Sequence, residues 1–364
     1  MSEVSIRLVV LYGGQSAEHD VSCISAAHVL AALDRTRYEV DAVAIGRDGT
    51  WIRSAELAEA LDEGPSALPG SLPTTGTGIA PLAALHPDGD PRTVVVLPVL
   101  HGPRGEDGTV QGLLELAGVP YVGTGVLGSA LNMDKAMAKV VAGAAGLPQV
   151  RHLATRDAGV DDGFVAAVGE QLGWPVFVKP ANMGSSVGVA RATDPDTLRA
   201  ALTAAAEYDE WLVVEEAVTA REIEVGVIGN HEVRTSVPGE IVPTHDFYDY
   251  DDKYLDGAAT MVVPADLPDH VATEAQRLAE LAYTTLRCDG LARVDFFYEE
   301  QGRDGRPGRG LLFNEINTMP GFTPYSMFPS LWAATGLSYG DLLDELVDLA
   351  LARHRHRSGR RLDR

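Results

Sequence analysis

The chain opens with "IRLVVLYGG" (6–14), a largely apolar stretch stopped by paired glycines. It runs on into "AEHDVSCISAAHVLAALD" (17–34), where Cys23, Ala26, Leu30 and Leu33 recur at helical spacing. This pattern predicts a buried strand, a glycine turn and a helix, the start of a βαβ-type layer. "YEVDAVAI" (38–45) and "TVVVLPVLHG" (93–102) predict further strands, "TVQGLLELAG" (109–118) a helix, and "VPYVG" (119–123) a last strand. Residues 54–93, rich in Gly, Pro and Thr, read as a surface excursion and not as a separate domain.

A second unit begins with a single predicted helix, "GSALNMDKAMAKVVAGAAG" (128–146). The strand "WPVFVKP" (174–180), a glycine loop, "GVARA" (188–192), a helix after "TDPDTLRAAL" (193–202) and the strand "EWLVVEE" (210–216) follow. From about 216 the apolar period shortens to two, with Glu222 and Glu224 facing one way and Ile223 and Val225 the other. A helix near 268–287, a two-strand unit over 291–317 and a closing helix near 339–353 complete the chain. The expected division is 1–123, 124–215 and 216–364, with no internal repeat and no heptad pattern.

Composition narrows the function. With 364 residues, two or three domains are expected. A net charge of -23 makes nucleic acid and anionic membranes poor partners, because binding them needs a basic face. The basic run "RHRHRSGRR" (353–361) reads as a solvated tail. No stretch approaches a membrane span, and "MSEVSIRLVVLYGG" has no signal-peptide pattern. Cys23 and Cys288 are the only cysteines, which fits a reducing cytoplasm. Of 29 basic residues only four are lysines (Lys135, Lys139, Lys179, Lys253), so each lysine raises a question of purpose.

Two constellations carry chemistry. If "LARVDFF" (291–297) and "LLFNEIN" (311–317) form a hairpin centred near 305, Asp295 lies opposite Glu315 and Arg293 opposite Asn317, all on one face. Two carboxylates and an amide oxygen beside a guanidinium suit Mg²⁺ sharing its coordination with phosphates. A solvated polar face with a cross-strand ion pair is the alternative. The second constellation is "KPANMGSSVG" (179–188), where Lys179 precedes the glycines. No lysine follows a glycine anywhere in the chain, so there is no Walker A motif. A glycine-serine loop with a scarce lysine, added to a carboxylate hairpin, suggests ATP with Mg²⁺.

The order of motifs resembles the D-alanine:D-alanine ligases of the ATP-grasp superfamily. It runs "GGQSAEHDVS", "HGPRGEDG", "NMDKAMAK", "KPANMGSSVG", "VEEAV", "FYDYDDKY", "RVDFF" and "NEINTMPGFT", over nearly the whole chain except 54–93. The resemblance implies an α+β / α/β architecture, an ATP-grasp fold with a Rossmann-like N-terminal domain. It also implies ligation of two D-alanines through an acyl phosphate for peptidoglycan, in the cytoplasm and usually in a homodimer.

Residue by residue, the resemblance implies that Glu18 holds the ammonium of the first D-alanine and that Lys135 and Lys179 contact the ATP phosphates. Glu215 and Glu222 fall on the adenine and ribose side, with Ser186, Glu216 and Val218 also in the ATP-binding set. Asp295, Glu315 and Asn317 would bind Mg²⁺, two ions being expected and Mn²⁺ an expected substitute. Arg293 would neutralise the phosphoryl group and the tetrahedral intermediate, Gly321 and Ser326 would hold the second D-alanine, and His101 would lie near the first. Residues 245–259 would form a lid, with Lys253 reaching the phosphates and Tyr254 joining Ser185 and Glu18. Tyr254 favours the dipeptide over an ester.

Alternatives are a ligase that takes D-lactate or D-serine second, and a nucleotide-binding regulatory module without catalysis. A dinucleotide oxidoreductase fails because "GGQS" is not GxGxxG.

Overall fold

The computed structural model describes residues 6–85, 92–242, 260–302 and 306–361. Its first sheet holds β1 (Ile6–Gly13), β2 (Tyr38–Ile45), β3 (Trp51–Arg53), β4 (Thr77–Ile79) and β5 (Thr93–Pro98) in the order β4-β3-β2-β1-β5. β1 pairs in parallel with β2 and β5, so this interior strand is covered on both faces and Leu8 to Tyr12 are buried without a break. Leu8, Val10 and Tyr12 face a core with α1 (His19–Ala32). Val9 and Leu11 face the opposite core, with α4 (Thr109–Ala117). Between them in sequence lie α2 (Ala55–Glu63) and α3 (Pro81–Leu85).

The stretch read as an excursion does more than cover surface. It supplies β4, which lengthens the sheet, and buries Leu57, Leu72, Ala84 and Leu85. "VPYVG" does not form a full strand: Val96 and Tyr121 make an isolated bridge, since Pro120 has no amide to donate and Gly123 turns away at φ 97°.

The predicted long helix is two helices, α5 (Val126–Met133) and α6 (Lys135–Ala144). Asp134 breaks the run: its backbone is extended and its side chain accepts from the Met137 amide at 2.9 Å, capping α6. Lys135 therefore opens a helix.

The second sheet is antiparallel, in the order β6-β9-β7-β8, from β6 (His152–Arg156), β7 (Val176–Pro180), β8 (Ala190–Ala192) and β9 (Trp211–Glu216). It packs on α7 (Asp162–Gln171) and α8 (Pro195–Ala205).

The third sheet, also antiparallel, runs β12-β11-β10-β13-β14, from β10 (Arg221–Gly229), β11 (Val233–Val242), β12 (Thr260–Val262), β13 (Gly290–Gln301) and β14 (Pro307–Asn317). Ile223, Val225, Val294 and Phe296 pack against α9 (Asp269–Thr285), which leaves Glu222, Glu224, Arg293 and Asp295 on the other face.

α10 (Met327–Thr335) and α11 (Tyr339–Ser358) close the described chain. Leu342, Leu346 and Val347 of α11 sit in the same core as Leu8 and Val10 of β1. The basic run is not a solvated tail at its start. α11 extends to Ser358, and Arg353, only 7% exposed, donates to the carbonyls of Tyr121 (2.8 Å) and Gly123. Its guanidinium lies 4.3 Å from the centre of the Tyr121 ring. Among the described residues no backbone amide donates to those carbonyls, and a buried arginine fork satisfies them.

Candidate active site

A cavity of ≈ 430 Å³ and a smaller one of ≈ 110 Å³ lie where the three sheets meet. Lys135, Gly184, Ser185, Glu224, Arg293 and Glu315 line both, so the two form one cleft.

On the first-sheet side, Glu18 stands at the N-cap of α1 without capping it. Its carboxylate points across the cleft and accepts from the Ser185 hydroxyl. Glycine makes the approach possible: a Cβ on Gly102 would lie 2.7 Å, and one on Gly184 2.8 Å, from Glu18 Oε2. Ser185 and Ser186 both hold left-handed backbone, φ 48° and 58°, a strained pair of the kind found at ligand sites.

His101, buried at the end of the first sheet, meets the Met319 carbonyl through Nδ1 at 2.9 Å. That acceptor places the proton on Nδ1. Nε2 has no hydrogen-bond partner among the described residues. Burial pushes the His101 pKa down against the opposing charge of Glu18, so the ring is neutral. Beside it Glu106 accepts from the amides of Gly102 (2.6 Å) and Met319 (3.2 Å).

The cations come from the second unit. Lys135, in the first turn of α6, donates to the Met183 carbonyl at 2.7 Å and stands 3.4 Å from Glu315. Lys179, near the end of β7, is 2.7 Å from Glu215 Oε2. Glu215 is buried, which alone would raise its pKa, but Lys139 and Lys179 outweigh this and hold the carboxyl well below the usual range.

On the third sheet the hairpin has the predicted register, Asp295 opposite Glu315 and Arg293 opposite Asn317. Arg293 grips Asp295 through two bonds of 2.8 Å and lies 3.0 Å from Glu224. Burial opposes its charge, but Asp295 and Glu224 raise its pKa well above the ordinary value. The Asn317 side-chain oxygen accepts from the Met319 amide at 3.0 Å. Among the described residues no group of three or more His, Cys, Asp or Glu forms a metal-holding cluster. The hard oxygens here are two carboxylates and an amide, a set that fits Mg²⁺ only with phosphate oxygens completing it.

Gly321 and Ser326 lie at the far wall of the larger cavity, with Ser326 Oγ 2.8 Å from Thr323 Oγ1. A Cβ on Gly321 would come within 3.2 Å of Ser326 Oγ. Ser186 and Glu222 line the smaller cavity.

Three expected residues differ in outlook. Glu215 is enclosed between two lysines and lines neither cavity. The Glu216 carboxylate is clamped by Arg151 (2.6 Å) and Arg309 (2.6 Å) and also lines neither. Val218 is half-buried, outside both. Lys253 and Tyr254, with the whole of the expected lid over 245–259, lie outside the described residues.

Sequence reasoning assigned no role to Lys139, Glu224 or Glu106. Lys139 had a signal, being a scarce lysine one turn beyond Lys135. Glu224 shares the alternating face of Glu222, and Glu106 sits inside "HGPRGEDG".

Three cations facing two carboxylates under a strained glycine-serine loop suit a polyphosphate with a divalent cation, and Glu18 opposite suits an ammonium. The profile of the D-ala D-ala ligase N-terminus matches residues 7–124, and that of the D-ala D-ala ligase C-terminus matches 141–348. A D-alanine–D-alanine ligase of Enterococcus hirae is 44% identical over 368 residues, covering 97% of this chain and 98% of the relative. One of Streptococcus pneumoniae is 43% identical over 343 residues, covering 94% and 95%. Among solved structures, the D-alanine–D-alanine ligase of Coxiella burnetii superposes with a TM-score of 0.79 at 32% identity, covering 97% of each chain. VanG, a D-Ala:D-Ser ligase of Enterococcus faecalis, gives 0.77 at 30%, covering 94% of this chain and 99% of that one.

Proposed function

The chain belongs to the D-alanine–D-alanine ligase family, and from that premise we propose that it joins two D-alanines into D-alanyl-D-alanine, converting ATP to ADP and phosphate, for peptidoglycan precursor synthesis. The observation that carries this reading is the single cleft in which Lys135 and Arg293 face the Asp295–Glu315 pair while Glu18 points in from the opposite wall.

A carboxylate oxygen of the first D-alanine attacks the γ-phosphorus and ADP leaves. The amine of the second attacks the resulting acyl carbon, phosphate departs and the nitrogen loses a proton. Glu18 orients the first ammonium, with Ser185 fixing Glu18. His101, neutral, packs beside that substrate. Lys135 and Lys179 hold phosphates, Glu222 on the wall of the smaller cavity, with Glu215 enclosed behind Lys179, marks the adenine and ribose side, and Arg293 balances charge on the phosphoryl group and on the tetrahedral carbon. Gly321 and Ser326 receive the second substrate's carboxylate. Asp295, Glu315 and Asn317 would hold Mg²⁺, which when bound would neutralise phosphate charge.

Lys253 and Tyr254, outside the described residues, are proposed to complete a lid that excludes water from the acyl phosphate. The division into 1–123, 124–215 and 216–364 then places the first substrate on one part and ATP between the other two. We place the enzyme in the cytoplasm. Among the described residues no helix is long and apolar enough to cross a membrane. A homodimer is also proposed, and the exposed Leu116 of α4 and Leu127 of α5 offer apolar surface for it.

Phosphate release with D-alanine alone, and with D-lactate or D-serine added, at about pH 6 and about pH 8, tests the reading. Dipeptide as the main product is expected. Efficient ester or mixed D-alanyl-D-serine formation with little dipeptide would overturn the acceptor assignment, and ATP binding without turnover would favour the regulatory module.

A further inference from the structure

Lys139 takes no part in the reaction described above, yet it is 1% exposed and among the largest fully buried side chains. Its Nζ lies 2.8 Å from Glu215 Oε1 and 3.3 Å from the Asn314 carbonyl. Lys179 Nζ is 2.7 Å from Glu215 Oε2. One buried carboxylate thus bridges two ammoniums, one on each oxygen. The two differ in outlook, because Lys179 lines the smaller cavity and Lys139 lines neither.

A buried carboxylate with one counter-ion holds it hard, since withdrawing that partner strands an uncompensated charge away from water. A second, permanent counter-ion removes that penalty. We propose that Lys139 is a positioning residue for the nucleotide: by keeping Glu215 neutralised from the closed side, it leaves Lys179 able to turn its ammonium from Glu215 to a phosphate of a nucleoside triphosphate in the cavity. The inference rests on the reading of Lys179 as a phosphate contact. It also gives Glu215 a role that requires no contact with the nucleotide, in keeping with its absence from both cavity walls.

Lys139 also joins α6 to β9 through Glu215 and to β14 through Asn314, so a purely structural role has to be separated. ATP binding with Mg²⁺ and without D-alanine is measured by calorimetry on the full chain for wild type, Lys139→Met, Glu215→Gln, the double variant and Lys179→Met, with circular dichroism confirming folding. Lys139→Met is expected to weaken ATP binding by about tenfold or more, and to raise the KM for ATP more than it lowers kcat. Adding Glu215→Gln is expected to restore affinity to within about threefold of wild type, because the carboxylate that traps Lys179 is gone.

A folded Lys139→Met variant with wild-type affinity, or a double variant as weak as the single one, overturns the proposal. If Lys139→Met does not fold, the double variant still serves, since replacing a whole buried pair by neutral groups is far milder than breaking it. It should then match Glu215→Gln alone, and a clear loss relative to Glu215→Gln overturns the proposal. A Lys179→Met variant that binds ATP as wild type does would instead overturn the phosphate reading of Lys179, which separates the two failures.

Discussion

Glu18 and Ser185, 167 positions apart, meet across the cleft, the serine hydroxyl donating to the carboxylate. The bond joins the entry of α1 to the glycine loop, so the first-substrate wall and the nucleotide wall are set by one contact. Ser185→Ala is expected to lower kcat/KM for the first D-alanine by about ten- to a hundredfold, the worth of a hydrogen bond to a charged group. Steady-state kinetics at saturating ATP check it; a change confined to the KM for ATP would contradict the assignment.

Arg293 holds Asp295 and Glu224 together. Arg293→Ala should reduce kcat by about a hundred- to a thousandfold and lower the melting temperature, because two buried carboxylates lose a shared counter-ion. Arg293→Lys keeps the charge but not the fork, so it should recover stability more than turnover. Thermal melts run beside the assays distinguish the two effects.

Burial raises the Glu106 carboxyl to about 8, and the charge of Glu18 adds to the rise, while the Gly102 and Met319 amides and Lys135 pull the other way. Between its ordinary 4.5 and about 8 the folded chain keeps a proton that the unfolded chain has released. The stability this group contributes is therefore full below the unfolded value and is lost as pH climbs through the folded one. Melting temperature should fall more steeply from about pH 5 to about pH 8 in wild type than in Glu106→Gln. Parallel slopes in the two proteins would refute this.

Asp134 caps α6 and separates it from α5. Asp134→Ala should cost about 0.5–2 kcal/mol of stability and raise the KM for ATP, since Lys135 occupies the first turn that the cap fixes. Denaturant unfolding and ATP titration read the two consequences independently.

Arg353→Ala removes the donor from the carbonyls of Tyr121 and Gly123. Leaving these groups unsatisfied should cost about 1–3 kcal/mol, with little change in ATP affinity. Urea unfolding checks the first expectation and calorimetry the second.

Much of this arrangement is legible in the residues because strand period is rigid. Once Arg293, Asp295, Glu315 and Asn317 are placed on paired strands, alternation and register fix them on one face, as the hairpin shows. Other features depend on contacts that no local period encodes. The break at Asp134 turns on whether a carboxylate caps or continues a helix, and "NMDKAMAK" permits both. Arg353 looked solvated because its partners are backbone carbonyls 230 and 232 positions away. Lys139 and Glu215 were visible only as scarce or motif residues; that one carboxylate takes two lysines emerges when α6 crosses β9.

The packing of α11 against β1 has a consequence for how the protein is made. Leu342, Leu346 and Val347 complete the core around Leu8 and Val10, and the Tyr38 hydroxyl donates to Asp344 across 306 positions. In a chain synthesised from its amino end, β1, α1 and β2 emerge long before this helix exists, so the face of the first sheet that bears Leu8 and Val10 waits with α1 but without α11 to cover it. The layer that begins the sequence is among the last to be sealed, and any nascent-chain chaperoning this enzyme needs falls in that interval.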